Sequence, residues 1–164
     1  MKIALAYASK YGAVKEIAQL IQKDINLVLI DLKKEKICVS DYDVIIIGSS
    51  VYAGMMQKEV KQLIHEQSTL LDKKVFMFLS GLNKDDTKKV IVENVGETFY
   101  QNIICANCLG GKLDFSKMNF MEKTMIKAIN KKAKIIAHIP KDECVDLLDH
   151  VRIVSFIRSI QAVL

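Results

Sequence analysis

The loop after the first apolar run of the chain carries residue types that could bind an anion. It consists of Ser9, Lys10, Tyr11, Gly12, Ala13 and Val14, and its last residues begin a helical pattern. At the start of a helix the first backbone N–H groups have no intrahelical partner and the helix dipole is positive, which favours a negatively charged ligand. Ser9 adds a hydroxyl group, Lys10 a positive charge, and Gly12 allows close approach of the backbone. We predict a phosphate ester here; the alternative is an ordinary strand-to-helix turn, which also favours Ser and Gly.

Two later loops also follow apolar runs and offer groups that could contact a flat ring. The second loop consists of Ser50, Val51, Tyr52, Ala53 and Gly54. Tyr52 could stack on a heterocycle, or it could pack on the next helix as a structural residue. The third loop consists of Ser80, Gly81 and Leu82 and could present backbone N–H and C=O groups to the edge of a ring. These loops form one site only if the fold brings their chain positions together.

The pattern of apolar residues predicts the elements that would do so. Strands are expected at about residues 2–7, 27–32, 44–47, 75–79 and 103–109. Helices are expected at about residues 13–23, 57–67, 86–101, 120–138 and 151–163. Pro140 is expected to end the fourth helix and Asp149 to cap the fifth, whose inward residues would be Val154, Ile157 and Ile160. Most of the strands are apolar on both faces, which is typical of parallel sheets covered by helices on both sides.

This order of elements predicts an α/β fold with a doubly wound, five-stranded parallel sheet. A chain of 164 residues suits a single domain, and its 51% hydrophobic and 26% charged residues are those of an ordinary globular protein. In such a fold, ligands bind at the carboxyl ends of the strands, which is where the three loops are expected.

The composition also excludes several classes of protein. No apolar run approaches the ~20 residues that span a bilayer, and the apolar run at the N-terminus is too short for a signal peptide. Four scattered cysteines are too few for a disulfide scaffold. We therefore predict a cytoplasmic protein with reduced thiols.

The net charge of +5 is confined to one segment. Between Lys112 and His138 there are seven lysines and two acidic residues, whereas the 17 basic and 17 acidic residues elsewhere cancel. The apolar residues expected on one side of this helical segment are Phe120, Met121, Met125, Ala128, Ile129, Ile135 and Ile136. Such a helix could lie on an anionic membrane surface, or its apolar side could pack on the domain and leave the lysines in solvent. Nucleic acid is disfavoured, because no aromatic residues are interleaved with the lysines.

Other candidate sites are weaker. Cys105 and Cys108 form a C-x-x-C, but they fall in a predicted strand, where this spacing points the side chains to opposite faces, so we interpret them as structural. A zinc site would need a second pair of ligands. His65, His138 and His150 have no ligand-type neighbours at suitable spacing and are expected at the surface. We therefore predict no metal site and assign no catalytic acid or base.

The three loops together resemble those of the flavodoxin family. Residues 7–12 and 15–18 are similar to the flavodoxin phosphate loop, residues 47–54 to the second flavin loop, and residues 80–82 to the third. The resemblance covers nearly the whole chain. It is closest to the flavodoxin-domain branch that contains menaquinone-dependent protoporphyrinogen IX dehydrogenase, through residues 110–115, 121–123 and 125–127 and the closing helix led by Asp149. It describes one flavodoxin-like domain over residues 1–164, with a basic helical insertion at about residues 112–140, here called the insertion.

This resemblance implies an FMN cofactor bound by the three loops. The phosphate would lie on residues 9–14, one face of the isoalloxazine on residues 50–54, and its edge on residues 80–82. An FMN-dependent oxidoreductase of heme biosynthesis would follow, with a reduced porphyrin and a membrane quinone as partners, and contact with the inner face of the membrane through the lysines of residues 112–138. Where Val14 stands the family usually has a hydroxyl residue, and where Ala13 stands often Ser or Asn. Losing one hydrogen bond to a charged group costs about 1.5–3 kcal/mol, so the alternative is an electron-transfer or interaction module with a weakened or lost FMN site.

Overall fold

Five strands lie side by side in one parallel sheet in the computed structural model, which describes residues 1–141 and 143–164. The three central strands are mostly buried, and the two outer ones are only partly buried. They are β1 (Ile3–Ala8), β2 (Val28–Asp31), β3 (Val44–Tyr52), β5 (Lys74–Ser80) and β6 (Ile103–Cys108). Their spatial order is β2-β1-β3-β5-β6, so the strand order changes direction between β1 and β3. The predicted doubly wound α/β fold is confirmed. The third strand continues five residues beyond the predicted end at residue 47, because a two-residue strand β4 (Met55–Met56) pairs antiparallel with its end.

Helices cover both faces of the sheet because successive strand residues point to opposite sides. The helices are α1 (Ala13–Asp24), α2 (Lys58–Glu66), α3 (Thr87–Val95), α4 (Glu97–Gln101), α5 (Phe120–Ala133) and α6 (His150–Gln161). Leu5 and Phe76 point to the face that packs against α1 and α6. Ala4 and Met77 point to the other face, against α2, α3 and α4. Two 3-10 helices, Val39–Asp41 and Ser68–Asp72, precede β3 and β5.

Three predicted helices differ in detail from the observed ones. The helix predicted for residues 86–101 is two helices, because Gly96 interrupts it with φ +93°. The helix predicted for residues 120–138 ends at Ala133, where Lys134 adopts a left-handed conformation, so Pro140 does not end it. In α6, Asp149 caps the helix as predicted and accepts a hydrogen bond from the Arg152 N–H at 3.1 Å. However, Val154 is exposed rather than inward.

A pair of strands that the sequence pattern did not predict forms the base of the insertion. β7 (Gly110–Asp114) and β8 (Cys144–Leu148) are antiparallel, with Gly110 opposite Leu148 and Asp114 opposite Cys144. One residue of β7 and three of the segment that follows it form a separate small core: Leu113, Phe115, Met118 and Ile126. Tyr11 of the first loop and Leu82 of the third loop pack against this core. The insertion is therefore anchored on two of the three candidate ligand loops.

Candidate functional site

The three candidate loops meet around one cavity of about 670 Å³. They lie at the carboxyl ends of β1, β3 and β5, which are neighbours in the sheet and meet where the strand order changes direction. Residues 50–52 and Ser80, predicted as loop, are the last residues of β3 and β5, because the two strands stay paired as far as Ser50 and Ser80 and β4 pairs with the end of β3. The predicted site residues whose atoms line the cavity are Ser9, Lys10, Tyr11, Ala13, Ser50, Val51, Tyr52, Ala53, Gly54, Ser80, Gly81 and Leu82. Gly12 and Val14 are predicted site residues that do not line it.

The first loop turns at Gly12 into the start of α1. Gly12 has φ +93° and is the N-cap residue, and no side chain caps this helix end. Its N–H donates to the Ser9 Oγ at 3.0 Å. Val14 is fully buried in the core, so its side chain serves packing and only its backbone faces the loop. An anion here would be bound by backbone N–H groups and by the Ser9 hydroxyl.

The second loop is a tight hairpin that presents Tyr52 at the cavity. Tyr52 pairs with Met55 across a two-residue turn in which Ala53 and Gly54 both have positive φ, 50° and 76°. Asn94 of α3 supports this turn: its amide nitrogen donates to the Gly54 carbonyl oxygen at 2.8 Å, and its amide oxygen accepts from the Met56 N–H at 3.0 Å. A non-glycine residue with positive φ is strained, and such strain is concentrated at binding sites.

The third loop is held in place by the start of the insertion. The Gly81 N–H donates to the carbonyl oxygen of Gly110 at 3.1 Å. A Cβ atom on Gly111 would lie 3.2 Å from the Ser80 Oγ, so the backbone of β7 passes close to this loop. The edge of the cavity at residues 80–82 is therefore positioned by the insertion as well as by the sheet.

Lys10, which we predicted as a phosphate ligand, has a protein partner in this structure. Its ammonium group forms a salt bridge with the carboxylate of Glu122, near the start of α5, and lies 3.9 Å from the ring centre of Tyr52. The Tyr11 hydroxyl donates to the second oxygen of the same carboxylate at 2.8 Å. Glu122 was not among the predicted site residues. The signal that could have found it is the spacing Asn119-x-x-Glu122, which forms a capping box in the structure.

Burial and hydrogen bonds act in opposite directions on the Glu122 carboxyl. Burial alone would raise its pKa, but the hydrogen bonds from Lys10, from the Asn119 N–H and from Tyr11 outweigh burial and hold the pKa below its ordinary value. Burial, followed by the hydrogen bond to Glu122, raises the pKa of Tyr11 well above its ordinary value. At neutral pH, Glu122 is therefore ionised and the Tyr11 hydroxyl remains a donor.

The insertion forms the roof of the cavity. The insertion side chains that line it include Leu113, Met118, Met125, Ile126, Ile129 and Ile135. Phe120 and Met121, which the sequence analysis grouped with the apolar side of this helix, are instead 84% and 80% exposed, and Ala128 is also exposed. The interpretation that the apolar side packs on the domain therefore holds for the residues of α5 that line the cavity and is wrong for the three exposed ones. At the first turn, the reason is that Glu122, rather than an apolar residue, faces inward.

The remaining positive charges on the cavity wall are also paired. Lys112 lies 2.6 Å from a carboxylate oxygen of Glu16 and 3.1 Å from a carboxylate oxygen of Asp146. These two ion pairs join α1 to β8. Lys84 lies 2.7 Å from a carboxylate oxygen of Asp149, and Arg152 lies 3.7 Å from the same oxygen and 4.0 Å from a carboxylate oxygen of Asp85. Because of these pairs, the inner wall of the cavity carries little uncompensated positive charge, although the insertion as a whole is basic.

The weaker candidates occupy the expected places. Cys105 packs on one face of the sheet and the buried Cys108 on the other, as predicted for structural residues. The three histidines, His65, His138 and His150, are exposed. Within residues 1–141 and 143–164, no group of metal-ligating side chains could hold a metal ion. In the same residues, no helix has the length and apolar character needed to cross a membrane.

The fold is that of a doubly wound α/β protein, and its cavity lies at the carboxyl ends of the central strands, where proteins of this class bind ligands. The family model described as Flavodoxin domain matches residues 4–138, and the chain belongs to this family. No curated protein matches the sequence.

Three solved structures of similar fold are informative. A putative flavoprotein of Bacteroides eggerthii is 18% identical with a TM-score of 0.51, and the match covers 84% of this chain and 99% of that one. A flavodoxin from the domain Archaea is 17% identical with a TM-score of 0.50, covering 84% and 100%. The rubredoxin oxygen:oxidoreductase of Desulfovibrio gigas is 16% identical with a TM-score of 0.53, covering 79% of this chain and 34% of that one. The match therefore spans about a third of the Desulfovibrio enzyme. At these identities the similarity describes the fold.

Proposed function

We propose that this protein binds FMN in the cavity and acts as an FMN-dependent oxidoreductase. The observation that carries the proposal is the meeting of the three loops, a helix N-terminus and an aromatic ring around one cavity at the switch in strand order. The residues present fit the cofactor. The start of α1, with its uncapped N–H groups, suits the phosphate, and the apolar roof with Tyr52 suits a flat ring.

Each part of the site has a defined task in this proposal. Ser9 and the backbone N–H groups at the start of α1 would hold the phosphate, and Tyr52 would orient one face of the ring. The third loop would offer its backbone to the ring edge, and Met125, Ile126 and Ile129 of the roof would exclude water. The flavin supplies the redox chemistry when bound, so the protein needs to provide binding, orientation and electrostatics.

The first loop weakens the expected affinity, and this supports an alternative. The side chains of Ala13 and Val14 offer no hydroxyl or amide group to a phosphate, and Val14 is buried in the core. Compared with a protein that has a hydroxyl residue where Val14 stands, the loss of one hydrogen bond to the charged phosphate lowers FMN affinity by about ten- to a hundredfold. The alternative function is an electron-transfer or interaction module in which FMN binds weakly or is absent.

A flavin titration tests the proposal. We expect the purified protein to bind one FMN, seen as flavin absorption that remains with the protein and as a change in flavin fluorescence. Replacing Tyr52 with alanine removes the stacking ring, worth about 0.5–1.5 kcal/mol beyond its buried area, and should weaken FMN binding about tenfold. Tyr42→Ala is the matched control, because Tyr42 precedes the amino end of β3 and the cavity lies at the carboxyl ends of the strands. No binding by the wild-type protein at millimolar FMN would contradict the proposal and favour the alternative.

Within this class, we propose a reduced porphyrin such as protoporphyrinogen IX as electron donor and a membrane quinone as acceptor. The support is the resemblance of residues 110–115 and 121–127 to the protoporphyrinogen dehydrogenase branch, together with the surface of the insertion. The outer side of α5 exposes Lys127 and Lys131, and Lys134 follows its end. Phe120 and Met121 are exposed at its start, and its acidic residue, Glu122, is buried. This surface suits an anionic membrane, where each lysine contributes about 1 kcal/mol.

Quinone-containing vesicles test both partners in one experiment. We expect the FMN-loaded protein to sediment with anionic vesicles. It should also accelerate the six-electron oxidation of protoporphyrinogen IX to the porphyrin there, with reduction of three quinones, measured by the appearance of porphyrin fluorescence. Reversing the charge of Lys127, Lys131 and Lys134 to glutamate should lower vesicle binding at least about a hundredfold. The matched control is the triple change to glutamate of lysines exposed elsewhere on the protein: Lys23, Lys58 and Lys89. Equal vesicle binding of the two triple variants would contradict the membrane contact. An oxidation rate equal to that without the protein would contradict the assignment of a reduced porphyrin as electron donor.

A further inference from the structure

We infer that Glu122 determines how strongly the site distinguishes FMN from riboflavin, because it withholds the positive charge of Lys10 from the phosphate. Lys10 is the cation of the first loop and would otherwise be the natural partner of a phosphate group. In this protein the Lys10 ammonium is therefore not among the groups that receive the flavin phosphate. The inference rests on the proposed flavin site and specifies which of its residues contact the phosphate.

Glu122 is built into the structure as a fixed, buried anion. The residue is 7% exposed, and its carboxylate accepts hydrogen bonds from Lys10, from the Tyr11 hydroxyl and from the Asn119 N–H at 2.9 Å. The Glu122 N–H in turn donates to the Asn119 side chain at 2.9 Å. Both carboxylate oxygens are therefore in use, and the capping box fixes the position of the group.

Lys10 is held by this anion and by aromatic rings. Its ammonium group lies on the Glu122 carboxylate, 3.9 Å from the ring centre of Tyr52 and 5.2 Å from that of Tyr11. Its backbone N–H donates to the Ser50 Oγ at 3.2 Å. The ammonium therefore links the first loop, the second loop and the insertion, and a cation–π contact adds to the ion pair.

Glu122 should prevail over a bound phosphate in the competition for Lys10, because the Glu122 carboxylate is buried although the Lys10 side chain keeps 34% of its surface exposed. Withdrawing the Lys10 ammonium would leave the buried carboxylate without its compensating charge, which is costly. A phosphate at the mouth of the loop is more exposed, and its attraction for a cation is screened by water and salt. A second ammonium group at the loop, that of Lys33, donates to the Ser9 carbonyl oxygen at 2.6 Å and is unchanged in each variant described below.

The experiment measures the ratio of the riboflavin and FMN dissociation constants, because riboflavin lacks only the phosphate. Glutamine at position 122 can keep the capping box and the Tyr11 contact while removing the negative charge, which releases Lys10. We expect Glu122→Gln to raise the ratio about tenfold through a charge-assisted contact to the phosphate, and to make FMN binding more sensitive to salt. The double variant Lys10→Met with Glu122→Gln should return the ratio to within twofold of wild type. Glu93→Gln, the same change at an exposed position of α3, is the matched control.

The ratio separates this role from a purely structural one, since a loosened roof would weaken both flavins equally. An unchanged or lower ratio in Glu122→Gln would overturn the inference. A ratio well below the wild-type value in the double variant Lys10→Met with Glu122→Gln would also overturn the inference. It would show that Lys10 contacts the phosphate in the native protein. That comparison remains decisive if the single variant does not fold. Failure of the wild-type protein to bind either flavin would overturn the proposed function together with the inference, whereas binding with an unmoved ratio overturns the inference alone.

Discussion

Replacing Gly110 with alanine is expected to lower the free energy of unfolding by about 3–4 kcal/mol. Gly110 has φ +78°, a conformation that costs other residues about 1–2 kcal/mol. A Cβ atom at this position would also lie 2.1 Å from the carbonyl oxygen of Leu147 and 3.0 Å from the nitrogen of Asp149. Both contacts are to backbone, which cannot rotate away, and overpacking of this kind costs about 1–3 kcal/mol. Urea unfolding followed by circular dichroism measures the loss.

Gly54 provides the matched control for this prediction. Its φ of +76° is close to that of Gly110, but a Cβ atom there would have nothing within 4 Å. Gly54→Ala therefore carries only the backbone cost of about 1–2 kcal/mol, without the steric cost. If the two variants lost the same stability, the close approach of β8 to Gly110 would be wrong, and with it the attachment of the insertion at this point.

Phe115→Ala is expected to open the insertion while the parallel sheet remains folded. Phe115 is fully buried in the small core of the insertion with Leu113, Met118 and Ile126. Replacing a buried phenylalanine with alanine costs about 3–5 kcal/mol, which is a large share of what one small cluster can contribute. Because this core is separate from the two cores on the faces of the sheet, its loss should cause local unfolding. The roof of the cavity would then be lost, and flavin affinity should fall at least tenfold.

Limited proteolysis and amide hydrogen exchange distinguish local from global opening. In Phe115→Ala we expect cleavage and fast exchange within residues 112–140, with the strands of the sheet still protected. Phe156→Ala is the matched control, because Phe156 is equally buried but packs edge-on against Phe76 and Phe78 in a main core. That variant should lose protection throughout the protein. Uniform loss of protection in Phe115→Ala would show that the insertion and the sheet unfold as one unit.

The elements that were predicted well are those whose burial is visible in neighbouring residues. β1 and β3 are apolar on both faces because helices cover both sides of the sheet, and this pattern is local. The same holds for α6, where the cap at Asp149 and the helical spacing lie within a few residues of each other. The position of the three loops followed from the parallel topology, since the carboxyl ends of neighbouring parallel strands lie at one edge.

The features that were missed depend on partners far apart in the chain. β7 and β8 pair across the whole insertion, and nothing in either strand alone indicates the other. Lys10 and Glu122 are separated by 112 positions. Glu122 was overlooked because a single acid in a lysine-rich helix suggests a solvated residue, and only packing on the first loop makes it a buried charge. Likewise, Phe120 and Met121 are exposed because α5 is oriented with Glu122 facing inward.

The amino-acid sequence by itself determined the α/β class, the parallel order of the central strands and the three loops that face the cavity. These depend on periodic burial and on turn residues, which act over short stretches of chain. Only the tertiary structure decided that the insertion roofs the cavity, that Val14 belongs to the core, and that Lys10 is neutralised by Glu122. The physical reason is that the role of a charged group depends on which opposite charge and how much water surround it, and both are set by contacts between distant segments.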